Sequence, residues 1–211
     1  MPRANERTHA PNIGVLDSGV GGLSVLREIH RLLPDFPTLY IADQAHLPYG
    51  PRPVEELFGY VEAMTRFLVD EGAVMVVLAC HSASAASLQP LRDQYPHIPF
   101  VGMEPAVKPA AEATRTGVVG VLTTKATAEG ALYGRVLARY ATDVKVITQV
   151  APGLVTLAEE GARAVDEAER IIRHYVEPLR EAGADQIVLA CTHFPFLADS
   201  IRAVAGDGTY R

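Results

Sequence analysis

The chain has 211 residues, of which 48% are hydrophobic and 21% charged, and its formal net charge is −6 at pH 7. This length and apolar content allow one large α/β domain or two small ones. There is no cluster of Lys and Arg of the kind that binds nucleic acid, and the longest apolar run, Ala73–Cys80, is too short to span a bilayer. Residues 1–11 are polar without a signal-like apolar stretch, so we expect a flexible tail. With two cysteines a disulfide scaffold is not expected, and the expected compartment is the reducing cytoplasm.

Short apolar runs alternate with amphipathic segments along the whole chain. The runs predict strands over 13–16, 38–42, 74–79, 100–102, 117–122, 144–150 and 186–190, and the segments predict helices over 23–33, 53–71, 82–95, 128–140, 154–160, 164–182 and 197–204. This alternation with short links predicts parallel sheets built from βαβ units. A break at 102–105 divides the pattern, so we expect an α/β fold of two similar domains, 12–103 and 104–205, followed by a short end at 206–211.

The two cysteines end two copies of one phrase. Val76–Cys80 and Ile187–Cys191 are apolar runs that both close on Leu-Ala-Cys and give way to small polar residues. A buried parallel strand delivers a side chain to its carboxyl end in this way, where α/β folds hold their chemistry. At a helix start, backbone N–H dipoles favour the thiolate and lower a thiol pKa to roughly 3.5–7.5. A matched pair predicts two reactive groups facing one substrate, with His193 as a proton partner for Cys191.

Other interpretations of the cysteines remain open at this point. They can be inert core thiols, or a redox pair, although no Cys-x-x-Cys is present. They can also bind metal, because each cysteine has a histidine within two residues and the four side chains would make a Cys₂His₂ set: Cys80, His81, Cys191 and His193. Neither Cys-His spacing matches a common zinc motif, so we predict no metal site.

Two turns follow the first two predicted strands. Asp17–Gly22 is glycine-rich and opens a helix, where backbone N–H groups can bind an anion. It lacks dinucleotide-binding spacing, and the alternative is a tight turn in which Asp17 and Ser18 merely cap the helix. The second turn is Pro48–Pro51, with Asp43 just before it, and there the Tyr49 hydroxyl could close over a ligand.

In combination and in this order, these motifs resemble glutamate racemases of the cofactor-independent aspartate/glutamate racemase family. The resemblance runs from about residue 12 to residue 204. The stretches that carry it are Ile13–Leu23, Leu47–Gly50, Ala79–Cys80, Gly102–Ala106, Thr124 with Thr127, and Cys191–Leu197.

The resemblance implies two α/β domains with the active site in the cleft between them. It implies interconversion of L- and D-glutamate, which supplies D-glutamate for peptidoglycan, and it implies no cofactor. Two thiols lie on opposite faces of the α-carbon in this family: one removes the α-proton and the other donates one. By that analogy Cys80 deprotonates D-glutamate with help from Asp17, and Cys191 deprotonates L-glutamate with help from His193.

The same resemblance implies a substrate-binding set and a partner. The set comprises Asp17, Ser18, Pro48, Tyr49, Gly50, His81, Ser82, Thr124, Thr192 and His193, and Glu159 matches an acidic position near the family's site. The partner is the small-molecule substrate, glutamate, with neither nucleic acid nor membrane involved. Relatives are often homodimers, so a homodimer is a further expectation.

Three departures from the family pattern bear on these expectations. His81 stands where the family usually has Asn, and its ring would titrate near neutral pH. Val150–Gly153 replaces a segment that usually contains cysteine. The family usually continues for several tens of residues after the second motif, so we expect the first domain to be destabilised or covered by a partner subunit. Alternative functions are racemisation of aspartate or a hydantoin, and binding of an acidic amino acid or a protein partner with weak or no turnover.

Overall fold

A computed structural model describes residues 10–161 and 165–206. Its strands are β1 (Asn12–Asp17), β2 (Thr38–Ala42), β3 (Ala73–Leu78), β4 (Phe100–Gly102), β5 (Val118–Thr123), β6 (Lys145–Val150) and β7 (Gln186–Ala190). Its α-helices are α1 (Leu23–Leu32), α2 (Val54–Asp70), α3 (His81–Gln94), α4 (Val107–Ala113), α5 (Lys125–Glu129), α6 (Ala131–Tyr140), α7 (Pro152–Glu160), α8 (Val165–Glu181) and α9 (Ala198–Ala205). Most of the predicted flexible tail, 1–11, and nearly all of the predicted end, 206–211, lie outside the described residues.

The first sheet contains four parallel strands in the order β2-β1-β3-β4. Every residue of β1 is buried, which fits its central place between two neighbours. Helix α2 lays Leu57, Val61 and Leu68 on one face of this sheet. Leu68 comes so close that a Cβ at Gly14 would lie 3.0 Å from it, so any side chain there would force Leu68 to shift. Burying each such side chain contributes roughly 1.5–3 kcal/mol.

The second sheet contains three parallel strands in the order β6-β5-β7. Helix α8 covers one face with Ile172, Val176 and Leu179, which recur at helical spacing and are fully buried. Helices α4 and α6 cover the other face, where Val107 and Tyr133 join a second core. The predicted α/β class with parallel sheets is confirmed. Among the described residues, no helix combines the length and apolar character needed to cross a bilayer.

The strands were predicted to within one residue at either end, and the main errors lie in the helices between β4 and β6. The single helix predicted over 128–140 is wrong, because the chain breaks at Gly130, whose backbone is extended. The Thr124 side chain accepts a hydrogen bond from the Thr127 amide and so starts α5 earlier than predicted. Helix α4 was not predicted, since Pro109 and a run of alanines give that segment little amphipathic pattern.

Candidate active site

The carboxyl ends of the inner strands of the first sheet bring Asp17 and Cys80 together. Asp17 is the last residue of β1, and Cys80 lies just past β3 and immediately precedes α3. The Ser18 hydroxyl donates to Asp17 Oδ1 over 3.1 Å and lies 3.8 Å from Cys80 Sγ. The backbone amides of Ala83 and Ser18 also point at the sulfur. The first thiol therefore has a carboxyl group, a hydroxyl and two amides around it.

A second chain of contacts surrounds Cys191, which follows strand β7. Its Sγ lies 3.7 Å from His193 Nδ1, and His193 Nε2 lies 2.5 Å from Glu159 Oε1 at the end of α7. Glu159 Oε1 also accepts a 2.9 Å hydrogen bond from the backbone amide of Val20. The order thiol, imidazole, carboxylate gives this sulfur a proton partner that is itself held in place.

Direct hydrogen bonds join the two sheets at this point. Thr192 Oγ1 donates to Asp17 Oδ2 over 3.0 Å, which links the neighbour of one cysteine to the acid beside the other. Ser82 Oγ and Thr124 Oγ1 lie 2.9 Å apart and form a second link. The side chains of Asp17, Thr192 and His193 are almost completely buried, so these bonds lie in a site from which water is excluded.

The glycines of the Asp17–Gly22 turn are needed for this close approach. A Cβ at Gly19 would lie 2.0 Å from Glu159 Oε1, and one at Gly21 would lie 2.6 Å from Thr192 Oγ1. A side chain at Gly19 would displace the Glu159 carboxylate, and one at Gly21 would collide with the side chain and backbone of Thr192. The turn's N–H groups do meet an anion, which is the carboxylate of Glu159 accepting from Val20.

Comparison with known proteins identifies the family to which this site belongs. Residues 13–208 match the Asp/Glu/hydantoin racemase family. The chain belongs to that family. A glutamate racemase of Roseiflexus sp. (strain RS-1) is 54% identical over 197 residues, which cover 93% of this chain and 72% of the relative.

Solved structures of two racemases superpose on the chain. Glutamate racemase isoform RacE1 from Bacillus anthracis matches with a TM-score of 0.83 and 35% identity, over 94% of this chain and 74% of that one. Escherichia coli glutamate racemase, in complex with L-glutamate and the activator UDP-MurNAc-Ala, also has a TM-score of 0.83 at 36% identity, over 95% and 76% of the two chains. This chain therefore shares both sequence and fold with glutamate racemases.

Burial sets the protonation of the racemase thiols in this closed site. It raises the pKa of Cys80 to about 12, and the nearby charge of Asp17 adds to the effect. Burial likewise raises the pKa of Cys191 far above its ordinary value. The lowered thiol pKa expected from the helix starts is therefore wrong here, because the backbone amides at each sulfur recover only part of the desolvation cost. Both sulfurs are thiols at neutral pH in this state.

The two carboxyl groups of the site differ in protonation. Burial raises the pKa of Asp17 to about 6, against the charge of His193 and the hydrogen bonds from Thr192, Gly19 and Ser18. Burial also opposes ionisation of Glu159, but its bonds to the Val20 amide and to His193 outweigh burial, and its pKa lies below the ordinary value. Asp17 can therefore exchange a proton near neutral pH, while Glu159 stays ionised beside the imidazole.

The predicted site residues divide into three groups. The hydrogen-bonded cluster contains Asp17, Ser18, Cys80, Glu159, Cys191, Thr192 and His193. Ser82 and Thr124 form the second link between the sheets. Pro48 and Gly50 lie beside Thr124 on a largely apolar cavity of about 320 Å³. The interpretation of Asp17 and Ser18 as helix caps is wrong, because α1 begins at Leu23 with no side-chain cap.

Tyr49 and His81 are placed differently from expectation. The Tyr49 hydroxyl donates to Asp43 over 2.7 Å and so is already engaged within its own loop. His81 is buried at the first turn of α3, where it donates to the Glu104 carbonyl while its Nδ1 has no partner. Burial lowers the pKa of His81 to about 4, so the expected titration near neutral pH is wrong.

Sequence reasoning missed one contact of the glycine turn. The Tyr40 hydroxyl, on β2, donates to the Gly19 carbonyl over 2.7 Å and so fixes the turn that carries the site. The parallel register pairs Tyr40 with Val15 on the neighbouring β1, which places it beside that turn. A tyrosine in the middle of the strand predicted over 38–42 is the only signal in the sequence. Among the described residues, no group of three or more His, Cys, Asp and Glu side chains could hold a metal ion.

Proposed function

We propose that this chain interconverts L- and D-glutamate by passing the α-proton between two thiols without a cofactor, and so supplies D-glutamate for peptidoglycan. The observation that carries the proposal is the pairing at the joined strand ends. Cys80 has Ser18 and Asp17 beside it, and Cys191 has His193, which is in turn held by the Glu159 carboxylate. The hydrogen bond from Thr192 to Asp17 connects the two sets. Its membership of a family rich in glutamate racemases supports the same substrate.

Racemisation needs a base on one face of the α-carbon and an acid on the other. With L-glutamate, the Cys191 sulfur takes the α-proton, and the electron pair of the broken C–H bond stays on carbon. The Cys80 S–H bond then breaks and its proton joins the opposite face, which gives D-glutamate. The reverse reaction exchanges these roles. Asp17 and His193 return each sulfur to its starting protonation state between turnovers.

The raised thiol pKa values are consistent with this chemistry. A sulfur that holds its proton tightly becomes a strong base once it is ionised. The negative charge of Cys80 raises the pKa of Cys191, so the ionisation of one thiol disfavours ionisation of the other. The α-ammonium group of glutamate brings positive charge to the site and favours one thiolate. One thiolate facing one thiol is the state that racemisation requires.

Glutamate binding replaces contacts that the protein makes with itself. The hydroxyls of Ser82, Thr124 and Thr192 are suited to the substrate's charged groups, and they now bond to each other or to Asp17. We propose that the substrate exchanges these bonds for its own, and that its carboxylates and ammonium group replace the link between the sheets. We include His81 in the proposed binding set, because it immediately precedes Ser82 and its buried Nδ1 has no hydrogen-bond partner.

We further propose the setting in which the enzyme works. Its domains are 12–103 and 104–205, a division supported by one sheet in each. Its compartment is the cytoplasm, which matches the glutamate racemases it resembles. It forms homodimers, which would cover apolar side chains at the end of α1 such as Leu32 and Leu33, exposed at 65% and 48%. Light scattering on a sizing column measures the mass of the particle, and a monomer would contradict the dimer.

The test of the proposed function compares turnover with binding. Polarimetry with each enantiomer of glutamate measures inversion, and titration calorimetry measures binding to the same protein. The wild-type chain should invert both enantiomers, and Cys80→Ala and Cys191→Ala should each bind glutamate without inverting it. Binding without turnover by the wild-type chain would support the alternative of a binding protein, and faster inversion of aspartate would change the substrate.

A further inference from the structure

The loop between β2 and α2 contains a network that no part of the proposed mechanism uses. Asp43 Oδ2 accepts the 2.7 Å hydrogen bond from the Tyr49 hydroxyl, and both Asp43 oxygens accept from His46 Nδ1 at 2.7 and 2.9 Å. A carboxylate only accepts, so Nδ1 of this histidine carries the proton. Tyr49 is 2% exposed, and burial together with Asp43 raises the pKa of its hydroxyl far above the ordinary value.

Two further contacts hold the same histidine, and Glu56 links the two residues that make them. Its ring stacks on Tyr60 of α2 at a centroid distance of 3.8 Å and an interplanar angle of 16°. Its carbonyl accepts from Arg52 Nε over 2.6 Å, and the Arg52 guanidinium also bonds to Glu56. Glu56 in turn accepts from the Tyr60 hydroxyl over 2.6 Å. His46 therefore fastens the middle of the loop to a rigid helix.

The loop connects the two halves of the candidate site. At its start, the Asp43 amide donates to the Asp17 carbonyl over 3.0 Å. At its end, the Gly50 carbonyl accepts from the Ala126 amide over 2.9 Å, and a Cβ at Gly50 would lie 3.1 Å from Thr124. The loop is therefore hydrogen-bonded to the backbone of both halves of the site, at the carboxyl end of β1 and at the start of α5.

We propose that Asp43 and His46 are positioning residues that hold the Tyr49–Gly50 turn in its substrate-binding shape, an inference that rests on the proposed function. Because the Tyr49 hydroxyl gives its only proton to Asp43, the turn serves the substrate through its position and backbone. Loss of the Asp43–His46 bond frees the turn before glutamate binds, and binding must then order it again. The cost falls on KM, because neither residue touches the reacting atoms.

The test separates the hydrogen bond from the ring stack. His46→Ala should raise KM for both enantiomers about tenfold, the loss expected for a charge-assisted hydrogen bond, with kcat within about twofold. His46→Asn places an N–H donor where Nδ1 was and should recover most of the KM without the stack. Asp43→Asn should raise KM as much as His46→Ala does. Because the two residues act as one unit, the KM of the double variant should exceed that of either single variant by no more than about twofold.

The matched control is Tyr95→Phe. It also removes a hydrogen bond from a tyrosine hydroxyl to a carboxylate, that of Glu62, which lies on α2 but away from the loop. It should leave both constants unchanged, and thermal melts should show each variant folded at the assay temperature. If the wild-type chain turns over, two results would overturn the positioning role. One is an unchanged KM in His46→Ala, and the other is a KM for His46→Asn as high as that for His46→Ala. Absence of turnover in the wild-type chain would overturn the proposed function and this inference with it.

Discussion

Asp17 carries a cost in stability that its proposed role in proton transfer explains. Its side chain is fully buried, and its oxygens accept from Ser18 and Gly19 on one side and from Thr192 on the other. Asn at this position keeps one oxygen for the first two donors. Its amide can donate to the Thr192 hydroxyl, which reverses its role from donor to acceptor. Asp17→Asn therefore removes the charge while preserving the hydrogen bonds.

The size of the effect follows from the pKa of Asp17, which is about 6 in place of an ordinary 3.8. The folded state holds the proton more tightly than the unfolded chain, so this contribution to stability is complete below about pH 4 and is lost as pH rises through about 6. A difference of about two pH units corresponds to about 3 kcal/mol. Asp17→Asn should therefore raise the free energy of unfolding by about 3 kcal/mol at pH 8 and by roughly half of that at pH 5.

Urea unfolding of both proteins at pH 5 and pH 8 measures these differences, with exposed Asp35→Asn as the matched control. The control should show little difference at either pH. The same Asp17→Asn protein should racemise glutamate much more slowly, because its amide cannot exchange a proton with the Cys80 side. A variant no more stable than wild type at pH 8, or equally stabilised at both pH values, would refute the reasoning about the buried carboxyl.

Three further changes test other parts of the site. Alanine in place of either cysteine should lower kcat/KM for glutamate by about 10³-fold or more at unchanged melting temperature, and residual racemisation near the wild-type rate would exclude that thiol. Gly19→Ala should lower kcat about 10²-fold by displacing Glu159. Gly59→Ala, whose Cβ meets nothing within 4 Å, should keep full activity, and equal rates for the two variants would contradict the packing argument. Burial lowers the pKa of His81 to about 4, so protonation of this residue alone should cost about 2 kcal/mol of stability between pH 7 and pH 4.5, and urea unfolding should find His81→Asn gaining about that much relative to wild type over this range.

The strands and the paired thiols could be predicted from the sequence because both are local patterns. An apolar run such as Val76–Leu78 stops where its strand stops, and the residue after it lies at the carboxyl edge of a parallel sheet. The repeated Leu-Ala-Cys phrase then places one thiol on each sheet. The prediction holds for both thiols, although β3 is an inner strand of its sheet and β7 is an edge strand of the other.

The protonation of the site could not be predicted, because it depends on burial by the opposite half. A helix start alone favours the thiolate and so lowers the pKa of a thiol. Burial at the contact between the sheets reverses the direction of the pKa shift for Cys80 and Cys191. The partner of Tyr49 was likewise missed, since the loop folds Asp43 back onto the hydroxyl rather than leaving it for a ligand. Glu159 lies 34 residues before His193, and no local pattern predicts their contact.

Deuterium incorporation during the first few per cent of turnover tests the two-thiol account most directly. L-glutamate is incubated with the protein in D₂O, the enantiomers are separated, and the α-position of each is analysed by proton NMR. If one thiol removes the proton and the other supplies a new one, the D-glutamate formed carries solvent deuterium while the remaining L-glutamate keeps its proton. Product that retains the original proton, or substrate that exchanges as fast as product forms, would contradict the assignment of Cys80 and Cys191 to opposite faces.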